Sequence, residues 1–221
     1  GGIQAQGGNS SAAGGAGTFG TPSHATNIIN ISGNRIAGQS AANRIGAEAI
    51  VASVGGRGQG NFNISNNGTV ANPITNITGI GISNSTFGNA TVTSTINNNV
   101  IVANNSLAAQ GIGGGLANTF GVTDTPQMTV NVTNNTISQV DGNGILLVAR
   151  DTNGTLNARI QGNNVAAPLT GVRPGIRVDS GTTLNGDNDT VCLNISGNVS
   201  AGSGGHPGGI GLRKQGTDPN Q

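Results

Sequence analysis

One Glu and one Lys occur in 221 residues, Trp and Tyr are absent, and charged residues make up only 8% of the chain. Globular chains average about 25% charged residues. So small a supply of strong helix formers excludes a helical or coiled-coil protein. Nine Lys and Arg against eight Asp and Glu leave a net charge of +1. No basic patch stands ready to neutralise phosphates, which argues against nucleic-acid binding. No run of about 18 apolar residues is present, so no membrane-spanning helix is expected. The single cysteine, Cys192, cannot close an internal disulfide. The opening Gly1-Gly-Ile-Gln-Ala lacks the charged and apolar regions of a signal peptide, as a mature or excised chain would.

What the chain has instead is Gly (40 residues), Asn (32) and Ser plus Thr (39), together half of its length. Its hydrophobic content of 33% separates it from chains too polar to fold. The remaining class is all-β.

The apolar residues recur with a period. Ile31-Ser-Gly-Asn34, Ile64-Ser-Asn-Asn67, Ile96-Asn-Asn-Asn99, Val132-Thr-Asn-Asn135, Ile160-Gln-Gly-Asn163 and Ile195-Ser-Gly-Asn198 share one pattern, spaced 28 to 36 residues apart. The residues before each motif alternate, as in Met128, Val130, Val132 and in Leu156, Ala158, Ile160. That is the signature of a strand with one buried face. A second short strand follows each Asn, with Ile36, Ile101, Ile137 and Val165 two places beyond it; copies two and six slip by one residue. A third strand reads Gly-Ile-x-apolar: Gly79-Ile-Gly-Ile82, Gly144-Ile-Leu-Leu147, Gly175-Ile-Arg-Val178 and Gly209-Ile-Gly-Leu212, with Ala49-Ile50 and Gly111-Ile112 as looser copies.

One such repeat cannot bury its apolar side alone, whereas stacked repeats bury a continuous column. The spacing therefore predicts a parallel β-helix of about six three-stranded coils. Ile31, Ile64, Ile96, Val132, Ile160 and Ile195 form its core column. Asn34, Asn67, Asn99, Asn135, Asn163 and Asn198 form a structural column, expected at a sharp left-handed turn that Asn tolerates, with stacked amides bonding one to the next. The whole chain reads as one domain: a partial coil and Gly-rich loop over 1–26, six coils over 27–215 and a tail over 216–221.

These motifs, I-S-G-N, I-S-N-N and V-T-N-N-T-I followed by G-I-x-V, resemble right-handed parallel β-helix repeats of the pectate-lyase-like superfamily, over residues 27–215. That superfamily includes polysaccharide lyases and hydrolases, phage tailspikes and large bacterial surface or autotransported proteins. The Gly, Asn and Thr-rich, charge-poor style is most similar to the surface branch. The resemblance implies the fold; activity has to be read from a site.

Enzymes of that class need clustered carboxylates, and this chain has only eight. No catalytic residue, metal site or cofactor is expected. Asp179 and Arg213, each four residues beyond its Gly, fall side by side on adjacent coils, with Arg150, Asp151 and Arg177 nearby. Asn185-Gly-Asp-Asn-Asp189 has the alternating oxygens of a calcium loop without its closing Glu, and reads as a turn. His24 and His206 sit in Pro and Gly loops. Gly113-Gly-Gly115 lacks the strand-to-helix setting of a phosphate loop. Cys192 lies between two inward residues and is expected to point out.

Asn-x-Ser/Thr occurs at 14 positions. Asn30, Asn63, Asn131 and Asn194 each precede the inward residue, face outward, and are candidate glycosylation sites. Gly2-Ile3-Gln-Ala5 and Gly209-Ile210-Gly-Leu212 share the third-strand phase, so the two ends are open sheet edges able to stack end to end. The functional expectation is an extracellular or cell-surface structural protein, a self-stacking fibre subunit or a stalk or adhesin segment, with itself as partner. The alternative is a polysaccharide-binding or polysaccharide-cleaving β-helix, with a surface polysaccharide as partner.

Overall fold

The computed structural model describes residues 2–7, 26–104, 110–117, 124–181, 188–206 and 208–215. Strand β1 (Ile3–Gly7) comes first. Six strand layers follow: β2 (Thr26–Ser32) with β3 (Ile50–Val54); β4 (Gln59–Ser65) with β5 (Ile80–Phe87); and β6 (Thr91–Asn97), β7 (Val100–Val102) and β8 (Gln110–Ala117). Next are β9 (Gln127–Thr133), β10 (Thr136–Ser138) and β11 (Ile145–Ala149), then β12 (Thr155–Gln161), β13 (Asn164–Val165) and β14 (Ile176–Ser180). The last layer holds β15 (Thr190–Ser196), β16 (Val199–Ser200) and β17 (Ile210–Lys214). No helix occurs among the described residues.

The strands stack into three parallel sheets, a β-solenoid that climbs about five turns between β2 and β15. Sheet I runs β1-β3-β5-β8-β11-β14-β17, sheet II β2-β4-β6-β9-β12-β15 and sheet III β7-β10-β13-β16. Two isolated bridges, Ile74 to Ile101 and Ala37 to Thr75, carry sheet III back into the earlier layers. Like stacks on like because the repeat fixes register. Ile31, Ile64, Ile96, Val132, Ile160 and Ile195 are partners along sheet II. The first five are buried, and Ile195 in the last layer is half-buried. Alternation gives β9 an exposed–buried rhythm in which Met128, Val130 and Val132 face the core.

The turn after each core residue is left-handed, but at the residue before the Asn column. Positive φ falls on Gly33, Asn66, Asn98, Asn134, Gly162 and Gly197. These are the six positions that hold only Gly or Asn, the residues that enter this region at least cost. The column Asn itself is therefore not selected for backbone handedness, which corrects the expectation above.

Three positions also differ from the repeat pattern. Ile82, not Ile80, stacks between Ile50 and Ile112. Gly81-Ile82 is thus the second-layer copy of the Gly-Ile motif, two residues beyond Gly79. Period 2 preserves the inward face under a two-residue shift, so alternation alone does not distinguish them. In the same layer the residue that fills the sheet III position is Ile74, which is fully buried, while Val70 is 89% exposed. The chain from Gly68 to Pro73 forms an extra turn, closed by reciprocal backbone bonds between Thr69 and Asn72. In the last layer Ser200 rather than Val199 stacks on Val165, leaving Val199 outside.

Candidate functional site

The Asn column forms one continuous amide ladder at the corner between sheets II and III. Each Nδ2 donates to the Oδ1 of the next Asn, from Asn34 through Asn67, Asn99, Asn135 and Asn163 to Asn198, at 2.9–3.0 Å. Each Oδ1 from Asn67 onward also accepts the backbone N–H of the preceding column residue, at 2.9–3.2 Å. The second Nδ2 hydrogen reaches back to the core residue one layer earlier: Asn67 to the Ile31 carbonyl, Asn99 to Ile64, Asn135 to Ile96, Asn163 to Val132 and Asn198 to Ile160. One side chain thus satisfies backbone groups that the corner removes from the sheet ladders. Asn67, Asn99, Asn135 and Asn163 are fully buried or nearly so, where an unpaired amide would be costly. A buried amide row is a scaffold: it holds no titratable group.

The ends of the solenoid differ. In the last layer Leu193, Val199, Ile210 and Leu212 are 37%, 68%, 42% and 64% exposed. Leu193, Ile210 and Leu212 continue the inward parity of Ala158, Ile176 and Val178, so they are inward-phase residues on which no further layer stacks among the described residues. At the first layer, by contrast, Ile31 and Ile36 are buried. The apolar column is thus less exposed at the first layer than at the last. Ile3 and Ala5 pack half-buried against the core from β1 at the edge of sheet I, and Gly2 is exposed. Gly209 sits where an added Cβ would strike the Ser200 carbonyl oxygen at 1.9 Å, so its missing side chain serves internal packing.

Charge gathers at one place. Asp179 lies on the outer face of β14, side by side with Arg213 on β17. Arg213 grips both carboxylate oxygens, Nε to Oδ1 at 3.2 Å and Nη2 to Oδ2 at 2.9 Å. Arg177 adds its Nε to Oδ1 at 2.7 Å, and Arg150, just beyond β11, its Nη2 to Oδ2. The Asp179 side chain is 3% exposed. The Asp179–Arg213 neighbours were legible from phase. Arg150 and Arg177, expected nearby, both join the same carboxylate.

The other candidates sit in turns. Asp189 Oδ1 accepts from the Thr152 hydroxyl and from the Gly154 N–H at 3.0 Å, closing a corner between layers; Asn185 and Asp187 lie outside the described residues. His206 Nδ1 lies 2.7 Å from the Gly208 carbonyl oxygen within its own loop, and His24 lies outside the described residues, as do most of the Gly-rich segment before β2 and the tail 216–221. Among the described residues no three His, Cys, Asp or Glu side chains gather as a metal site. Cys192 is exposed. Asn30, Asn63 and Asn194 are exposed and Asn131 is half-buried, all four on the outer column of sheet II. A groove of about 420 Å³ beside Ala37, Gly38, Gln39, Asn43, Arg44 and Ile45 contains one charged group, Arg44, whose Nε is bound to the Ala41 carbonyl at 2.7 Å. No helix among the described residues is long and apolar enough to cross a membrane.

No protein-family model matches this chain, and no curated protein and no solved structure matches it.

Proposed function

We propose that this protein is an extracellular structural β-helix of the pectate-lyase-like kind, a self-stacking fibre subunit or a surface stalk, whose work is mechanical rather than catalytic. The observation that carries the reading is the interior: aliphatic columns and an unbroken amide ladder run through every layer. Most of the chemistry in the sequence is thereby consumed in holding coil on coil. Six layers at roughly 4.8 Å each give a rise of about 30 Å per chain.

Self-association is supported by the last layer, where apolar side chains are exposed beside three sheet edges, β15, β16 and β17. Exposed strand edges recruit further strands. A net charge of +1 offers little repulsion. In the proposed contact Ile210 and Leu212 meet Ile3 and Ala5 of a second copy, and β17 extends sheet I into the next β1. The outer Asn column on sheet II is the proposed carrier of glycans.

Sedimentation velocity over a wide concentration range tests this. The unmodified chain is expected to form larger species as concentration rises, and Leu212→Glu is expected to remain monomeric, because a charge in the contact must be desolvated. A monomer at every concentration would sink self-stacking and leave the stalk-segment reading.

A further inference from the structure

We propose that the three guanidiniums gathered on Asp179 form a binding site for an oxyanion, the class that includes carboxylate, sulfate and phosphate groups. The cluster is more than an ion pair requires. Arg213 alone occupies both oxygens of Asp179 in a forked contact. Arg150 and Arg177 then add two further positive charges to the same carboxylate. Three of the chain's nine basic side chains converge there, leaving an excess of two positive charges, or one if Asp151, next to Arg150 in the chain, is counted.

The donors are also in excess. A guanidinium carries five N–H groups. Arg150 gives Asp179 only an Nη2 contact, and its Nε is buried without a partner. Arg177 gives only its Nε. Neither Nη of Arg177 and neither Nη1 of Arg150 and Arg213 is engaged with Asp179. The three side chains remain 30%, 23% and 42% exposed, so the cluster has an open side. One flank is apolar: Leu146 and Val148, half-buried, stand in register beside Arg177 and Asp179. Poorly hydrated surroundings strengthen attraction between opposite charges. Arg presents the planar donor fork that matches oxyanions. Asp179 serves as the anchor that holds three like charges together, and a bound anion relieves their repulsion. The site belongs to the charge cluster and stands whether or not the chain assembles into fibres.

The test is a titration of the full chain followed by NMR at the arginine Nε–H signals, at constant ionic strength. The probes are sulfate, acetate and glucuronic acid, with chloride as reference. Saturable shifts of Arg150, Arg177 and Arg213 together are expected with the oxyanions and not with chloride. Arg177→Gln is expected to weaken binding about tenfold or more, and Arg159→Gln, on sheet II away from the cluster, to leave it unchanged. Arg177→Lys, which keeps the charge and loses the fork, covers the case in which the Gln variant fails to fold, and is expected to weaken binding as well. Tighter binding of glucuronic acid than of acetate identifies an acid group carried on sugar as the better ligand; equal binding identifies the anion alone. Shifts linear in concentration and equal to those with chloride, or unchanged affinity in a folded Arg177 variant, would overturn the proposal.

Discussion

Asn135→Leu is expected to destabilise the fold by about 4 kcal/mol, far more than its loss of one polar group implies. Leucine keeps the approximate size, so no large cavity opens. What is lost is a junction. The Asn135 Oδ1 accepts the Asn99 N–H at 2.9 Å and the Asn99 Nδ2 at 3.0 Å. Its Nδ2 serves the Ile96 carbonyl at 2.9 Å and Asn163 Oδ1 at 3.0 Å. The substitution leaves several of these groups unpaired in a fully buried corner, and each costs about 1–3 kcal/mol before relaxation. Two neighbours calibrate the effect. Asn34→Leu, at the half-buried first rung, should cost clearly less. Asn134→Val tests the turn instead: Asn134 is exposed and left-handed, φ 55°, so a β-branched residue should cost about 1–2 kcal/mol and Gly almost nothing. Urea midpoints read all three. A loss below about 1 kcal/mol at Asn135 would mean that the ladder contributes little.

Gly114→Ala is expected to cost about 3–5 kcal/mol, unusual for the addition of one methyl group. Gly114 sits in the middle of sheet I with φ +144°, and a Cβ built there would stand 1.8 Å from the Asn84 carbonyl oxygen. Gly115 is equally constrained, φ +122° and 2.0 Å from the Val148 carbonyl oxygen. Both contacts are backbone to backbone, so relief requires β8 to part from β5 or β11. Gly113→Ala is the internal control. Its φ is ordinary and the Cβ meets the end of the Gln110 side chain, which can swing away; the cost should stay below about 1 kcal/mol. Thermal unfolding of the two variants side by side decides it, and equal costs would contradict the geometry. The Gly run that fails as a phosphate loop is thus explained by packing.

The inward Ile and Val residues and the Asn column were legible in the sequence because each is a residue type repeated at a spacing, and stacking places equal residues on equal ones. Features that depend on which neighbour comes first were not. The Asn column drew attention to itself, yet the left-handed turn belongs to the Gly or Asn before it. Gly79-Ile80 and Gly81-Ile82 match the same motif with the same parity, and only the pairing with Ile112 separates them. Ile74 stayed hidden behind the extra turn from Gly68 to Pro73, since a loop of unspecified length breaks the count that locates a strand. In the charge cluster the neighbours were legible, Arg150 and Arg177 included, and what periodicity does not carry is which guanidinium atoms meet which oxygen of Asp179.

Hydrogen exchange of the side-chain amides of Asn67, Asn99, Asn135 and Asn163 tests the account most directly, because it reads the ladder without altering it. If these amides hold the corner, their Nδ2 protons exchange only when the solenoid opens. Their protection should then match that of the Ile64, Ile96 and Val132 backbone amides, with Asn34 and Asn198 at the ends less protected. Exchange of the four interior amides at the rate of free asparagine, while the backbone stays protected, would contradict it.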